Sequence, residues 1–206
     1  MKITVFGATG GTGIELVRQA REAGHSVTAV VRSAADFPAG VEVVRADVMD
    51  PSAIEPAVAG RDAVISALGH RPGAHEPVCA PAAESIIRAM RTTGVRRLVV
   101  VTAAGHIEDS HDSFMTTRIL KPLLWRFLRA AWTDFVATDR IVAASGLDWT
   151  IMRPPRLTDG GSKPYRTALD HTVPGGSSIS RTDLATATLA AASDPATVGH
   201  AVGLGY

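Results

Sequence analysis

The feature that most constrains this chain is its opening: an apolar strand runs without a break into a glycine-rich turn and then into a helix. Lys2-Ile-Thr-Val-Phe6 is dense in β-branched residues, as a buried parallel strand requires, and Ile14, Leu16 and Val17 begin an apolar stripe of helical period. Between them Gly7, Gly10 and Gly13 fall in a G-x-x-G-x-x-G spacing. Residues without a Cβ can take positive φ, bend the chain sharply and let a helix or an anion come close. Free N–H groups at the helix start then face that anion. The turn Gly7 to Gly13, with Thr9, Gly11 and Thr12 inside it, therefore reads as a cradle for a dinucleotide diphosphate. A merely tight strand-to-helix turn is the competing reading. It is weakened by a second strand at Ser26 to Val31, where a βαβ nucleotide unit needs one.

With 206 residues, 46% of them hydrophobic, the chain suits one α/β domain with a sizeable core. Its 21 Lys and Arg nearly balance 20 Asp and Glu, which removes the electrostatic case for a nucleic-acid partner. A small-molecule partner is expected instead. Cys79 is the only cysteine, so no intrachain disulfide or multi-cysteine metal site can form. Met1 and Lys2 lead straight into the first strand, and no run of about 18 apolar residues occurs, so a cytoplasmic protein without a membrane partner is expected.

Along the chain, Gly10 to Ala23 reads as the first helix, with Gly24 as its C-terminal glycine. The second strand ends at Arg32, where the adenosine ribose of a bound dinucleotide lies; an arginine there can pair with a 2′-phosphate, whereas an acid would favour the free 2′-hydroxyl. NADP(H) is therefore expected over NAD(H), although Asp36 turned inward would favour NAD. Val41 to Arg45 is a third strand. Two readings of Asp47 stay open: in a sheet ordered 3-2-1-4-5 it reaches the adenine amino group, or it or Asp50 caps the helix starting near Pro51.

Ala63 to Ala67 reads as strand four, with Leu68, Gly69 and His70 at its carboxyl end, where ligands sit in open α/β sheets. His70 and His75 lack a nearby carboxylate pattern, so no metal is expected. A helix over Ala82 to Thr93 and a strand over Arg97 to Thr102 follow, and Thr102 and Ala103 should line the nicotinamide. His106 stands in the next polar loop, as a substrate contact or a plain surface residue. Ile119, Leu120, Leu123, Leu124, Phe127, Leu128 and Ala131 recur at helical spacing, with Trp125 and Trp132 assigned to the opposite, polar side as core, lid or subunit contact. After a helix over Asp134 to Ala144 and a strand over Asp148 to Arg153, Pro154 and Pro155 remove two donors and leave carbonyls free for a carboxamide. A short strand near Tyr165 to Ala168 and a last helix over Thr182 to Ala192, with Asp183 favouring its dipole, complete the reading.

Phe6-Gly-Ala-Thr-Gly-Gly-Thr-Gly13, Val30-Val-Arg32, Asp47-Val48, Leu68-Gly69, Val99 to Ala104, Ser145-Gly-Leu147, Pro154-Pro155 and Ile179-Ser180 before Asp183-Leu184 together resemble an atypical short-chain dehydrogenase/reductase. Within that superfamily the chain is most similar to the NAD(P)H-binding, NmrA-like group and its biliverdin reductase B-type flavin reductases. The resemblance covers nearly the whole chain. It implies a single Rossmann-like domain over residues 1–206, a doubly wound parallel sheet, with a small substrate side built from about 106–132 and 156–180. It further implies NADPH held by the opening turn, Arg32, Asp47, Val48, Leu68, Gly69, Thr102, Ala103, Pro154 and Pro155, and hydride transfer to a flavin, quinone or similar planar acceptor.

Departures from the family limit that reading. The flavin reductases carry a serine where this chain has Ala103 and a histidine where it has Arg156, and the Tyr-x-x-x-Lys pair of typical short-chain dehydrogenases is missing, because Leu169 stands four residues after Tyr165. Arg156, His106 and Thr102 are the remaining catalytic candidates. A non-catalytic NADP sensor and a biosynthetic isomerase, dehydratase or cyclase are the rival functions, and a monomer or homodimer is the expected assembly.

Overall fold

A computed structural model describes residues 1–70, 76–104 and 121–206, with the backbone alone described over 121–128. The glycine-rich turn joins strand β1 (Lys2–Phe6) to helix α1 (Gly11–Glu22), and β2 (Ser26–Val31) and β3 (Val41–Arg45) follow. Gly24 closes α1 at φ 79°, with Gly24 N–H donating to Arg21 and His25 N–H to Ala20, the paired bonds of a Schellman stop. Helix α2 (Pro51–Val58), β4 (Ala63–Ser66), α3 (Cys79–Thr93) and β5 (Arg97–Val101) complete the first half. The second half holds α4 (Lys121–Ala143), β6 (Asp148–Arg153), β7 (Arg156–Thr158), β8 (Arg166–Leu169), β9 (Ser178–Ser180), α5 (Arg181–Ser193) and β10 (His200–Gly205).

The main sheet runs β3-β2-β1-β4-β5-β6-β10-β8, parallel throughout except that edge strand β8 is antiparallel to β10. The expected order 3-2-1-4-5 is its first part, and the chain reverses direction across the sheet between β1 and β4. That reversal opens a crevice at the strands' carboxyl ends, directly after β1. Alternation along the strands loads both faces. Ile3, Val5, Val27, Ala29 and Val99 pack with Leu16, Val17 and Ala20 of α1 and Leu184, Ala185 and Ala191 of α5. Phe6, Val30, Val64, Leu98 and Val100 pack with Ile54, Ala82, Ile86, Met90 and Val142 from α2, α3 and α4.

One 23-residue helix runs from Lys121, with Pro122 in its first turn, where a missing N–H costs nothing. Of the readings open for Trp132 the core one holds, since it is buried at 6% exposure, whereas Ile14, expected in the apolar stripe, is 52% exposed beside the turn. Strand β10 was not expected, since its glycines weaken strand propensity. They are there because a Cβ on Gly203 would strike the carbonyl of His171 and one on Gly205 would come within 2.9 Å of the Gly176 Cα.

Candidate dinucleotide-binding site

The glycines of the opening turn divide into two kinds. Gly7 sits at φ 75°, and a Cβ on it would lie 2.6 Å from the Ala67 carbonyl oxygen. A Cβ on Gly13 would run into the Gly7 carbonyl, so these two let α1 pack against the strand ends. Gly10 is different. A Cβ there would meet only the Gly7 carbonyl, at 3.2 Å, and the residue is exposed. Gly10 caps α1 with no side-chain hydrogen bond, and the carbonyl of Gly10 receives its bond from Ile14 N–H at 2.8 Å. The N–H groups of Gly11, Thr12 and Gly13 thus precede the first α-helical bond and form the donor set an anion needs. An uncapped helix start with an open approach over Gly10 fits a diphosphate. Thr9 and Gly11 are exposed at its rim, while Thr12 is buried beneath it.

At the end expected to face the adenosine, Arg32 is exposed and has no ion-pair partner among the described residues. Arg45 joins it, unanticipated from the sequence: β3 sets Arg45 opposite Val31, and its Nε donates to the Arg32 carbonyl at 3.2 Å. Two guanidinium-bearing residues therefore close the ends of β2 and β3. The helix cap proves to be Asp50, whose Oδ1 accepts from Ser52 N–H at 2.9 Å and Ala53 N–H at 3.3 Å. Asp47 instead accepts from Met49 N–H at 3.0 Å and stays exposed, whereas the Val48 side chain is buried in the core with Phe6 and Val30. Asp36 is exposed and has no described ion pair.

The end expected to face the nicotinamide is built from three strand ends. Leu68 is half-buried and Gly69 exposed after β4, with nothing crowding a Cβ at Gly69. Thr102 follows β5 at 5% exposure, and its buried hydroxyl has no hydrogen-bond partner among the described residues. Such an orphan in a binding crevice fits a ligand's polar group. One expectation is corrected here: the Pro154 carbonyl is not free, because Ala104 N–H donates to it at 2.8 Å, tying Ala103 and Ala104 to the proline pair. Pro154 is buried, Pro155 is half-buried, and Arg156 is exposed at the start of β7. Arg153, not Arg156, carries the ion pair there, holding Asp139 at 2.9 Å. His106 lies outside the described residues, as do His75 and all of the 106–120 part of the expected substrate side.

The expectation that no carboxylate accompanies His70 is overturned. His70 Nε2 lies 2.7 Å from Asp134 Oδ2, and its side chain is only 9% exposed. Asp134 also accepts from the backbone N–H groups of Val78 at 2.9 Å, Cys79 at 2.7 Å and Ala80 at 2.9 Å. It caps α3 from another helix, replacing the cap that Val78 cannot supply. Burial alone would raise the Asp134 pKa, but those backbone donors and His70 together hold it below the usual carboxylate range. The charged carboxylate puts the proton on Nε2. His70 Nδ1 is left buried without a partner among the described residues.

Cys79 completes a trio whose ligand atoms lie within 4.8 Å of one another. Burial first and the Asp134 charge second push its thiol far up, so the thiolate a soft metal wants is suppressed. With the Asp134 oxygens already accepting four bonds, the trio reads as positioning for His70 rather than a metal cage. A sequence separation of 64 residues hid the pair; the only local hint was a helix start without a capping side chain.

Arg181, at the first position of α5, was likewise not anticipated. A Cβ on Gly11 would lie 2.7 Å from Arg181 Cδ and 2.8 Å from its Nε, so this side chain lies across the start of α1. Its Nη1 pairs with Asp159 at 2.5 Å.

A family profile described as NAD(P)H-binding matches residues 7–195. The uncharacterized protein YwnB of Bacillus subtilis is 29% identical over 198 residues, covering 92% of this chain and 91% of its own length. A Burkholderia pseudomallei protein thought to be exported has a structure matching with a TM-score of 0.83 at 29% identity, covering 100% of both chains. A short-chain dehydrogenase/reductase of Veillonella parvula, solved with NADP, matches with a TM-score of 0.81 at 20% identity, over 100% of this chain and 94% of its own. Among the described residues no helix is long and apolar enough to cross a membrane. With a glycine-rich turn at a doubly wound sheet's switch point and a profile match over nearly its full length, the chain belongs to the NAD(P)H-binding family.

Proposed function

We propose that the protein is an NADPH-dependent reductase that delivers hydride to a small, planar, conjugated acceptor such as a flavin or quinone. The observation that carries this reading is the state of its two tyrosines. Tyr206 Oη donates to Asp183 at 2.6 Å and accepts from Ser180 N–H at 3.0 Å, so its hydroxyl is occupied. Burial and then the Asp183 charge push the Tyr165 phenol up, which makes it a poorer acid. A simple ketone receiving hydride becomes a localised alkoxide that needs a positioned acid, whereas a conjugated acceptor spreads the charge and takes its proton from solvent.

NADPH supplies the hydride when bound. The chain supplies position and charge. Gly7 to Gly13 hold the diphosphate, Arg32 and Arg45 face the 2′-phosphate and set a preference for NADP(H), and Asp47 and Val48 border the adenine. Leu68, Gly69, Thr102, Ala103, Pro154 and Pro155 border the nicotinamide. Arg156, exposed beside the proline pair, stabilises negative charge developing on the acceptor, and Thr102 orients the bound groups through its free hydroxyl. His106, outside the described residues, stays a candidate for acceptor contact, and 106–132 with 156–180 make up the proposed substrate region of a single domain working in the cytoplasm as a monomer or homodimer.

The test is nicotinamide absorbance over a panel of flavins, quinones and aliphatic ketones, with wild type, Tyr165→Phe and Arg156→Ala. Flavin or quinone reduction that survives Tyr165→Phe and drops in Arg156→Ala is expected. Robust ketone reduction abolished by Tyr165→Phe would overturn the mechanism.

A further inference from the structure

We infer that Arg181 is a cationic clamp for the dinucleotide diphosphate, and that Asp159 occupies its guanidinium until the diphosphate arrives. The inference rests on the reading of the β1–α1 turn as the diphosphate cradle. Its first support is placement. Helices α1 and α5 pack side by side, stitched by Gln19 Nε2 donating to the Thr182 carbonyl at 2.9 Å and Thr186 Oγ1 donating to Gln19 Oε1 at 2.8 Å. Those bonds join the third turn of α1 to the start of α5, and the long Arg181 side chain spans the remaining distance back to Gly11. The start of α5 is itself fixed, because Ser180 caps it through Asp183 N–H at 3.0 Å. Arg181 therefore leaves the helix at a defined point and crosses Gly11, one of the residues with an open N–H.

The second support is charge. The Arg181 side chain lies against the first turn of α1, so a fixed cation meets a positive dipole end. Such a grouping is unfavourable without an anion and well suited to one carrying more than a single negative charge. The anion supplied by the chain is a poor match. Asp159 is 90% exposed on its side chain, and an exposed ion pair in water is worth little. The guanidinium, 31% exposed, can exchange that carboxylate for a diphosphate at small cost.

Binding calorimetry on wild type, R181Q, D159N and the double variant tests this, with NADPH and with adenosine 2′-monophosphate as probes. The second probe keeps the adenine, ribose and 2′-phosphate but has no diphosphate. R181Q should weaken NADPH about tenfold, as expected for one charge-assisted contact, and leave adenosine 2′-monophosphate unchanged. D159N should tighten NADPH about threefold when Arg181 is present and not at all in the double variant. NADPH binding by R181Q at wild-type strength would overturn the inference, as would a parallel loss of both probes or a D159N effect that persists without Arg181. Wild type that binds neither probe would instead sink the diphosphate reading on which the inference stands.

Discussion

The β1–α1 turn and the knot around Asp183 are both polar regions built on a helix start, yet they are finished in opposite ways. In the turn the helix has no side-chain cap, Gly10 is open, and Arg181 crosses the rim. At Asp183, fully buried at 0% exposure, every acceptor is used: Ser162 Oγ donates at 2.7 Å, Lys163 N–H at 3.0 Å, Ser180 Oγ at 3.0 Å and Tyr206 Oη at 2.6 Å. One carboxylate thus ties the 162–163 loop, β9, α5 and the residue after β10. Buried polar groups cost free energy unless paired, so a closed set stabilises the fold and an open set waits for a ligand.

The largest effect should come from cutting the closed knot. Asp183→Ala leaves several buried donors unpaired and should cost about 3–5 kcal/mol of stability in urea unfolding. The same carboxylate sets an acid limit. Burial would raise the Asp183 pKa, but its hydrogen bonds to Tyr206, Ser162, Lys163 and Ser180 hold it below the usual range, and Asp134 is depressed likewise. A depressed folded-state pKa contributes stability that is complete above the unfolded value, about pH 4, and is lost as pH falls through the folded one. Stability should accordingly fall from about pH 4 downward, and less steeply in a doubly substituted Asp134→Asn, Asp183→Asn protein.

Within the turn itself the two kinds of glycine should separate. Gly13→Ala drives a Cβ into the Gly7 carbonyl and should lower stability by about 1–3 kcal/mol. Gly10→Ala meets only one atom, at 3.2 Å, and should melt close to wild type while binding NADPH poorly. Equal melting of the two variants would erase the distinction between scaffold and open site. At the far end, Arg32→Ala should weaken NADPH about tenfold or more and NADH little, since one charge-assisted phosphate contact is lost. Equal loss for both cofactors would remove Arg32 from the 2′-phosphate.

What could be read from the sequence was local. The glycine spacing, the strand ahead of it and Arg32 after β2 all lie within one βαβ unit, so their meaning travels with the chain. What could not be read depends on partners far away. Which of core, lid or subunit contact Trp132 makes is decided by what packs on its helix face. Asp183 reads locally as an acid favouring the dipole of its first turn, and only Tyr206, 23 residues later, reveals it as a buried hub. The His70–Asp134 pair and the Arg181–Gly11 contact have the same origin: separate elements brought to one sheet edge by the crossover order. Strands β7 and β9 are three residues each, too short for a period-2 signal, and exist because they pair with each other.

The smallest effect on stability should come from Thr102→Val, and it is the sharpest probe of the open side. The Thr102 hydroxyl is buried without a partner among the described residues, so in the free protein it contributes no hydrogen bond and carries a desolvation cost. Valine keeps the branched shape and removes that oxygen. The substitution should therefore be neutral or stabilising by less than about 1 kcal/mol in a thermal melt. If the hydroxyl's partner is a bound dinucleotide or its acceptor, the same variant should lose about three- to tenfold in NADPH affinity or in turnover, the worth of one ordinary hydrogen bond. Thr102→Ser, which keeps the oxygen, should restore the function while giving up the methyl contact. A Thr102→Val protein that loses stability and keeps full binding and turnover would move Thr102 to the closed side of the comparison, alongside Asp183.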